Sequence, residues 1–432
     1  MNTLARSARR FWRASIATST AACTWVLLVS APLHAQEDCD GYRYRYTGAF
    51  DGFEVEYDVP YGENINSLLI PEDLYLDVYT PVGDVATARP VVIIAHGGFF
   101  VAGSNDGVDV VQLCEDLARM GYVVASMSYR LGVDDLFDLQ TSFVEAVWRG
   151  VHDSRAAIRF FRKSMDFGNP YDVDTNRIFL GGVSAGGFIA LHHAYVDDLS
   201  EIPSYIDQTE PGLGGGLAGL SGNTGYSDDV NGVFNIAGAL QTVDFMDVGE
   251  NEPVVSIHGT ADGTVPYGEG DIVYLGIPII DVDGSSLVHA KADELGVDNC
   301  FITVEGADHV PHVWDPVYYD LTLSTLAGKL GEWSCENYVP VCGEYDYTAE
   351  TSVDEEAPEV MLPAVFPNPA STSSRIHVTF PIATSWQLVN AMGQTLQTGQ
   401  VAAGDREVFS GLATGWYVLK TAHGTSPFVV GH

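Results

Sequence analysis

The stretch Gly182-Val183-Ser184-Ala185-Gly186 constrains this chain more than any other. An apolar, strand-like run from Ile178 to Val183 leads into a serine with glycine two positions to either side, and helix-like sequence follows. A strand that reverses into a helix over so few residues leaves no room for side chains at the flanking positions, hence glycine at both. The turn lifts the Ser184 hydroxyl clear of the sheet edge and aims a helix N-terminus at the atom it would attack. Ser184 is therefore the candidate nucleophile.

A serine that attacks a carbonyl needs a base, a group that orients the base, and donors for the oxyanion. Val91-Val92-Ile93-Ile94-Ala95 is a continuous apolar run of the kind buried on both faces, and His96-Gly97-Gly98-Phe99-Phe100 follows it. Glycines there let backbone N–H groups approach a substrate oxygen, so Gly98 and Phe99 are assigned as donors, with Ala185 as the third. Past the strand-like run Val254 to Ile257 comes Asp262, the candidate orienting acid. Past Phe301 to Val304 comes His309, the candidate base, with His312 as its rival. His192 and His193 follow Ser184 on the same helix and read as packing or surface residues. Phe100 and Tyr267 adjoin these loops and are candidate substrate contacts.

From Val91 onward, strand-like and helix-like stretches alternate. Helices are predicted over Val108 to Met120, Phe143 to Lys163, Gly187 to Tyr195, Ser286 to Leu295 and Tyr318 to Leu330. Repeated βα alternation predicts a mostly parallel central sheet with helices on both faces. Before it, Tyr42 to Val59 reads as a hairpin turning at Asp51-Gly52, and Asp73 to Tyr79 as a further strand. Residues 197–231, rich in glycine, are placed as a cap-like insertion over a pocket. Residues 343–362 read as an acidic linker, and residues 363–432 as a small all-β, sandwich-like domain with turns at Pro367-Asn368-Pro369, Gly393 and Gly404. The catalytic domain is thus expected over 36–342.

Residues 1–35 read as a signal peptide, with Arg6, Arg9, Arg10 and Arg13 ahead of the apolar Trp25 to Val29 and a cleavage site at Leu33-His34-Ala35. The apolar run is far short of the ~20 residues a membrane span needs. The 432-residue chain carries a formal charge of −38; without those four arginines, 16 basic residues face 58 acidic ones, for −42. Such a surface repels nucleic acid and anionic membranes. Cys39, Cys114, Cys300, Cys335 and Cys342 remain after signal removal, enough for two disulfides. Cys335 with Cys342, or either with Cys300, are the local candidates, and the sequence does not choose between them. No Cys-x-x-Cys or His-Cys cluster suggests zinc, and no EF-hand spacing suggests calcium.

These residues resemble the α/β-hydrolase superfamily, most closely its carboxylesterase and hormone-sensitive-lipase-like branch, over roughly Asp73 to Trp333. The supporting matches are His96-Gly97-Gly98, Ser128-Tyr129-Arg130-Leu131-Gly132, Asp153 with Ala156-Ala157, Asp174 with Arg177-Ile178, and Ser184-Ala185-Gly186-Gly187. The serial order Ser184, Asp262, His309 is also that fold's order. The resemblance implies ester hydrolysis without a cofactor, and related exported enzymes include feruloyl and acetyl-xylan esterases. One departure is Phe99, where that branch usually has a third glycine. The tail resembles a type IX secretion sorting domain through Phe366-Pro367-Asn368-Pro369-Ala370, Val389-Asn390-Ala391-Met392-Gly393 and Gly411 to Leu419. That implies the type IX secretion machinery as partner and a secreted or cell-surface location. The expected function is a secreted serine carboxylesterase. A serine peptidase of the same fold and a catalytically silent binding protein are the alternatives.

Overall fold

The computed structural model describes residues 39, 41–133, 135, 137–248, 251–274, 276–343 and 347, and, further on, 364–366, 370–371, 375–380, 383–390, 394–403, 405–421 and 424–431. The signal stretch, most of the acidic linker, and the turns at Pro367-Asn368-Pro369, Gly393 and Gly404 lie outside the described residues. The chain divides into two compact units, Met1–Thr351 and Ser352–His432.

The first unit is an α/β-hydrolase fold. Its sheet has eight strands in the order β1-β2-β4-β3-β5-β6-β8-β11. These are β1 (Phe53–Ile65), β2 (Pro71–Pro81), β3 (Arg89–Ala95), β4 (Val123–Met127), β5 (Val173–Val183), β6 (Val233–Ile236), β8 (Val254–Gly259) and β11 (Asn299–Val304). β1 and β2 are antiparallel, and β2 meets β4 antiparallel; from β4 to β11 every pairing is parallel. Alternation within β3 explains why the core has two halves. Val91, Ile93 and Ala95 pack beneath α2 (Leu139–Ser164), α3 (Ala185–Tyr195) and α4 (Ser285–Leu295). Val92 and Ile94 face α1 (Val111–Arg119) and α5 (Pro316–Ser334) on the other side. A strand buried on both faces must be apolar at every position.

Four features depart from the sequence reading or add to it. The first hairpin turns at residues 66–70, not at Asp51-Gly52, because Asn66 Oδ1 accepts hydrogen bonds from Leu68 N and Ile70 N and so builds the reversal. Residues 42–50 form turns that carry the buried Tyr44. An unpredicted antiparallel ribbon, β7 (Ala239–Leu240), β10 (Ile277–Gly284) and β9 (Glu269–Tyr274), forms a separate small sheet. The disulfides join Cys39 to Cys335 and Cys300 to Cys342, leaving Cys114 free and buried. The Cys335–Cys342 option is thereby replaced by a long-range bridge from Cys39.

The insertion at 197–231 is strapped to α2 and β1. Arg130 donates to Gly212 O, and Arg159 to Ala218 O and Gly222 O. Arg155 and Arg159 share Asp228, and Ser221 O accepts from Glu63 N.

The second unit is all β, with sheets β12-β14-β17 and β13-β19-β18-β15-β16. Its strands are β12 (Ala364–Phe366), β13 (Ala370–Ser371), β14 (Ile376–Thr379), β15 (Thr384–Asn390), β16 (Thr395–Val401), β17 (Arg406–Phe409), β18 (Gly415–Thr421) and β19 (Gly424–Gly431). Its core holds Ile376, Val378, Phe380, Leu388, Phe409, Leu419, Phe428 and Val430.

Candidate active site

Strand register brings the site together before any side chain is considered. Ala95 at the end of β3 pairs with Gly182 in β5, so the glycine loop and Ser184 leave the sheet side by side. Val304 at the end of β11 pairs with Gly259 at the end of β8, which sets the loops carrying Asp262 and His309 level. The turn itself is as tight as the sequence implies. Ser184 sits at φ 53°, ψ −111°, a strained backbone for a non-glycine residue. A Cβ on Gly186 would stand 2.0 Å from the Ala95 carbonyl oxygen, and one on Gly182 would stand 2.3 Å from the Gly186 carbonyl carbon.

Ser184, His309 and Asp262 meet in a continuous relay. His309 Nε2 lies 2.9 Å from Ser184 Oγ, and His309 Nδ1 donates to Asp262 Oδ2 at 2.7 Å. The Asp262 side chain is fully buried, while that of His309 keeps 17% exposure. Burial alone would raise the Asp262 carboxyl. Hydrogen bonds from His258 and His309, the charge on His309 and the Val265 N–H outweigh it and hold the group well below the carboxylate range. Its other oxygen, Oδ1, accepts from Thr264 N and Val265 N at 2.8 and 2.9 Å. The rival His312 is turned away, donating through Nε2 to Asp109 O. His192 and His193 are buried against Phe188 O and against Ser154 and Asp228 O.

The glycine loop is held from below. His96 stacks on the Tyr129 ring at 4.3 Å, Tyr129 donates to His96 O, and Gly132 N donates to Phe100 O. This accounts for the Tyr129-Arg130-Leu131-Gly132 match, with Arg130 paired to Asp153 in full burial. Gly97 N donates to Asp109 Oδ2 at 2.7 Å. Gly98 and Phe99 have φ of 117° and 59°, so Phe99 occupies a left-handed position that glycine would take without strain. Ala185 is the first residue of α3, where an N–H has no partner within the helix. The N–H groups of Gly98 and Phe99 donate to no group among the described residues.

The Phe99 ring packs on Tyr274 of β9 and on Phe143, at 5.0 and 5.5 Å. Next to Phe143 a cavity of only about 10 Å³, room for about one water, is lined by Phe143, Val144, Phe188, His192, Ile280 and Val282, from α2, α3 and β10. No residue of 197–231 lines this cavity. Phe100 is wholly buried among Tyr129, Phe143 and Phe188. Tyr267 stacks on Phe301, and its hydroxyl pairs with Thr303 Oγ1. Phe99 rather than Phe100 therefore presents a half-buried ring. His258, Asp109 and Tyr274 were not singled out from sequence. Only His258 carried a signal, lying in the same short run as Asp262.

A serine on a strand–helix elbow, with acid and base on later loops of one mostly parallel sheet, defines an α/β hydrolase. Residues 76–213 match the BD-FAE family model, and residues 364–430 match the secretion system C-terminal sorting domain. The chain carries an α/β-hydrolase domain followed by a type IX sorting domain, which directs it to the cell surface or beyond. Gut esterase 1 of Caenorhabditis elegans is 35% identical over 102 residues, 23% of this chain and 17% of that protein. Juvenile hormone esterase of Tribolium castaneum is 31% identical over 123 residues, 28% of this chain and 19% of that protein. The chain spans less than a fifth of the length of these curated relatives. Among solved structures, a truncated carbohydrate esterase from gut microbiota aligns with TM-score 0.46 and 18% identity, over 66% of this chain and 98% of that one. Thermogutta terrifontis esterase 2 phosphorylated by paraoxon aligns with TM-score 0.40 and 23% identity, over 60% and 85%. Among the described residues no helix is long and apolar enough to cross a membrane, and no group of three or more His, Cys, Asp or Glu could hold a metal ion.

Proposed function

We propose that this chain is a secreted serine carboxylesterase acting through Ser184, His309 and Asp262. The observation that carries the reading is the unbroken relay from Asp262 Oδ2 through both His309 nitrogens to Ser184 Oγ. The esterases to which it is similar point the same way.

The reaction is a double displacement. His309 Nε2 takes the Ser184 proton as Oγ bonds to the ester carbonyl carbon, and Asp262 stabilises the imidazolium that results. The carbonyl oxygen becomes an oxyanion held by the N–H groups of Gly98, Phe99 and Ala185. His309 returns the proton to the leaving alcohol as the C–O bond breaks, and an acyl-enzyme remains. Water, deprotonated by His309, releases the acid and restores Ser184. Short-acyl, acetylated and feruloylated polysaccharide esters are the substrate classes in view. The catalytic domain spans 36–342, and the tail engages the type IX secretion machinery.

Hydrolysis of p-nitrophenyl esters of increasing acyl length, wild type beside Ser184→Ala, tests this. Activity lost in the variant supports the reading. A folded wild type inactive on every ester overturns it.

A further inference from the structure

The geometry points to His258 as a positioning residue whose Nε2–H, bonded to Val265 O and set against Asp262 Oδ2, fixes the carboxylate for His309. The inference rests on the reaction proposed above, and it concerns a residue with no place in that relay. His258 lies near the end of β8 and is fully buried. Its Nε2 stands 3.2 Å from Asp262 Oδ2 and 3.2 Å from Val265 O. Both neighbours only accept, so Nε2 carries the proton. Its Nδ1 lies 2.7 Å from Ser285 Oγ.

Ser285 settles which way that bond runs. Its oxygen accepts from Asn235 Nδ2 at 2.9 Å, and its proton has His258 Nδ1 at 2.7 Å against Gly238 O at 3.4 Å. The hydroxyl therefore donates to Nδ1, which holds His258 in the Nε2–H tautomer. Asn235 is fixed in turn by Gly238 N and by Ser256 Oγ. It also abuts α3: a Cβ on Gly187 would stand 2.3 Å from Asn235 Oδ1. This chain of polar groups runs from the helix behind Ser184, through Asn235, Ser285 and His258, to Asp262. It reaches the acid at Oδ2, the oxygen that also takes the His309 N–H.

The consequence is local to one oxygen. Asp262 Oδ1 takes two backbone N–H groups, and Oδ2 takes the His309 Nδ1–H, with His258 Nε2, which donates to Val265 O, 3.2 Å away. Without His258, Oδ2 keeps the His309 N–H and loses the protonated imidazole nitrogen that stands 3.2 Å from it. The other ionisable neighbours do not replace it. Asp308 is occupied by Gly263 N and the backbone N of His309, His312 by Asp109 O, and Tyr267 meets the His258 ring by its edge at 5.8 Å.

The test compares His258→Phe, which keeps a ring but no donor, with His258→Gln, which can place an N–H near the same point. For His258→Phe, kcat on a p-nitrophenyl ester should fall about 10–100-fold, with KM within about twofold of wild type. His258→Gln should recover most of that loss. The proton NMR signal of His309 Nδ1–H should move in His258→Phe and return towards its wild-type position in His258→Gln. A folded His258→Phe variant with wild-type kcat and an unmoved signal overturns the proposal, as does a His258→Gln variant no better than Phe. If wild type hydrolyses no ester, the esterase reading fails, and the NMR signal alone decides for or against His258. If His258→Phe does not fold, Ser285→Ala carries the test. It should lower kcat and move the same signal to a lesser degree, and no change in either overturns the proposal.

Discussion

Asp109 ties the glycine loop to the loop that bears the base. Its carboxylate accepts the Gly97 N–H at 2.7 Å, and its own carbonyl accepts from His312 Nε2 at 3.2 Å. Two loops from opposite sides of Ser184 are thus referred to one residue just ahead of α1. If the Gly98 and Phe99 N–H groups hold an oxyanion, Asp109→Ala should lower kcat on a p-nitrophenyl ester by about 10²-fold, near the effect of losing one donor. Asp109→Asn keeps an acceptor and should lose less. Steady-state kinetics on both variants checks the order.

The Arg130–Asp153 pair is the point most exposed to a single substitution. Both side chains are fully buried, joined at 2.8 Å, and Asp153 also accepts from Ser221 Oγ. Arg130→Met leaves a buried, unpaired carboxylate and should cost about 3–5 kcal/mol. Urea denaturation reads the loss. A double variant with Asp153→Leu should recover part of it, because the stranded charge is then gone.

The two disulfides should contribute unequally. Cys39–Cys335 closes a separation of 296 residues and Cys300–Cys342 one of 42. Loop-closure entropy makes the longer bridge worth about 1.7 kcal/mol more. Urea denaturation of Cys39→Ser/Cys335→Ser against Cys300→Ser/Cys342→Ser should show that order.

Glu252 makes stability depend on pH near neutrality. Burial pushes its carboxyl up to about 7, against the lowering effects of its own backbone N–H and of Arg155. A raised carboxyl binds its proton more tightly folded than unfolded. Its contribution is therefore full below about pH 4.5 and is lost as pH climbs through about 7. Glu252→Gln, which carries no charge at any pH, should gain on wild type across that window. Thermal melts should separate the two by about 1–3 °C at pH 8 and bring them together at pH 4.

What could be read from the sequence was whatever backbone geometry demands. The Ser184 turn needs glycine at 182 and 186, and its strand and helix partners show a clean apolar pattern, so the elbow and the loops after β3, β8 and β11 were legible. The first hairpin was misplaced because the side chain of Asn66 builds its turn, while Leu68, Leu69 and Ile70 at its tip are apolar and exposed. β9 and β10 were missed because they are short, half-exposed strands that Pro278 interrupts. Cys39 and Cys335 are brought together only by the fold. His258 stood in a quoted run, but its importance lies in contacts with Ser285 of α4 and with Asp262 and Val265 of the following turn, which no local spacing encodes.

If Ser184 is the nucleophile, its Oγ forms a covalent bond during turnover. Incubating the protein with a fluorophosphonate, then measuring intact mass and mapping the modified peptide, tests it most directly. One adduct per chain on Ser184, abolished in Ser184→Ala and much slower in His309→Ala, is the predicted result. A folded wild type that takes up no label, or takes it up equally with Ser184 replaced, would rule out Ser184 as the nucleophile.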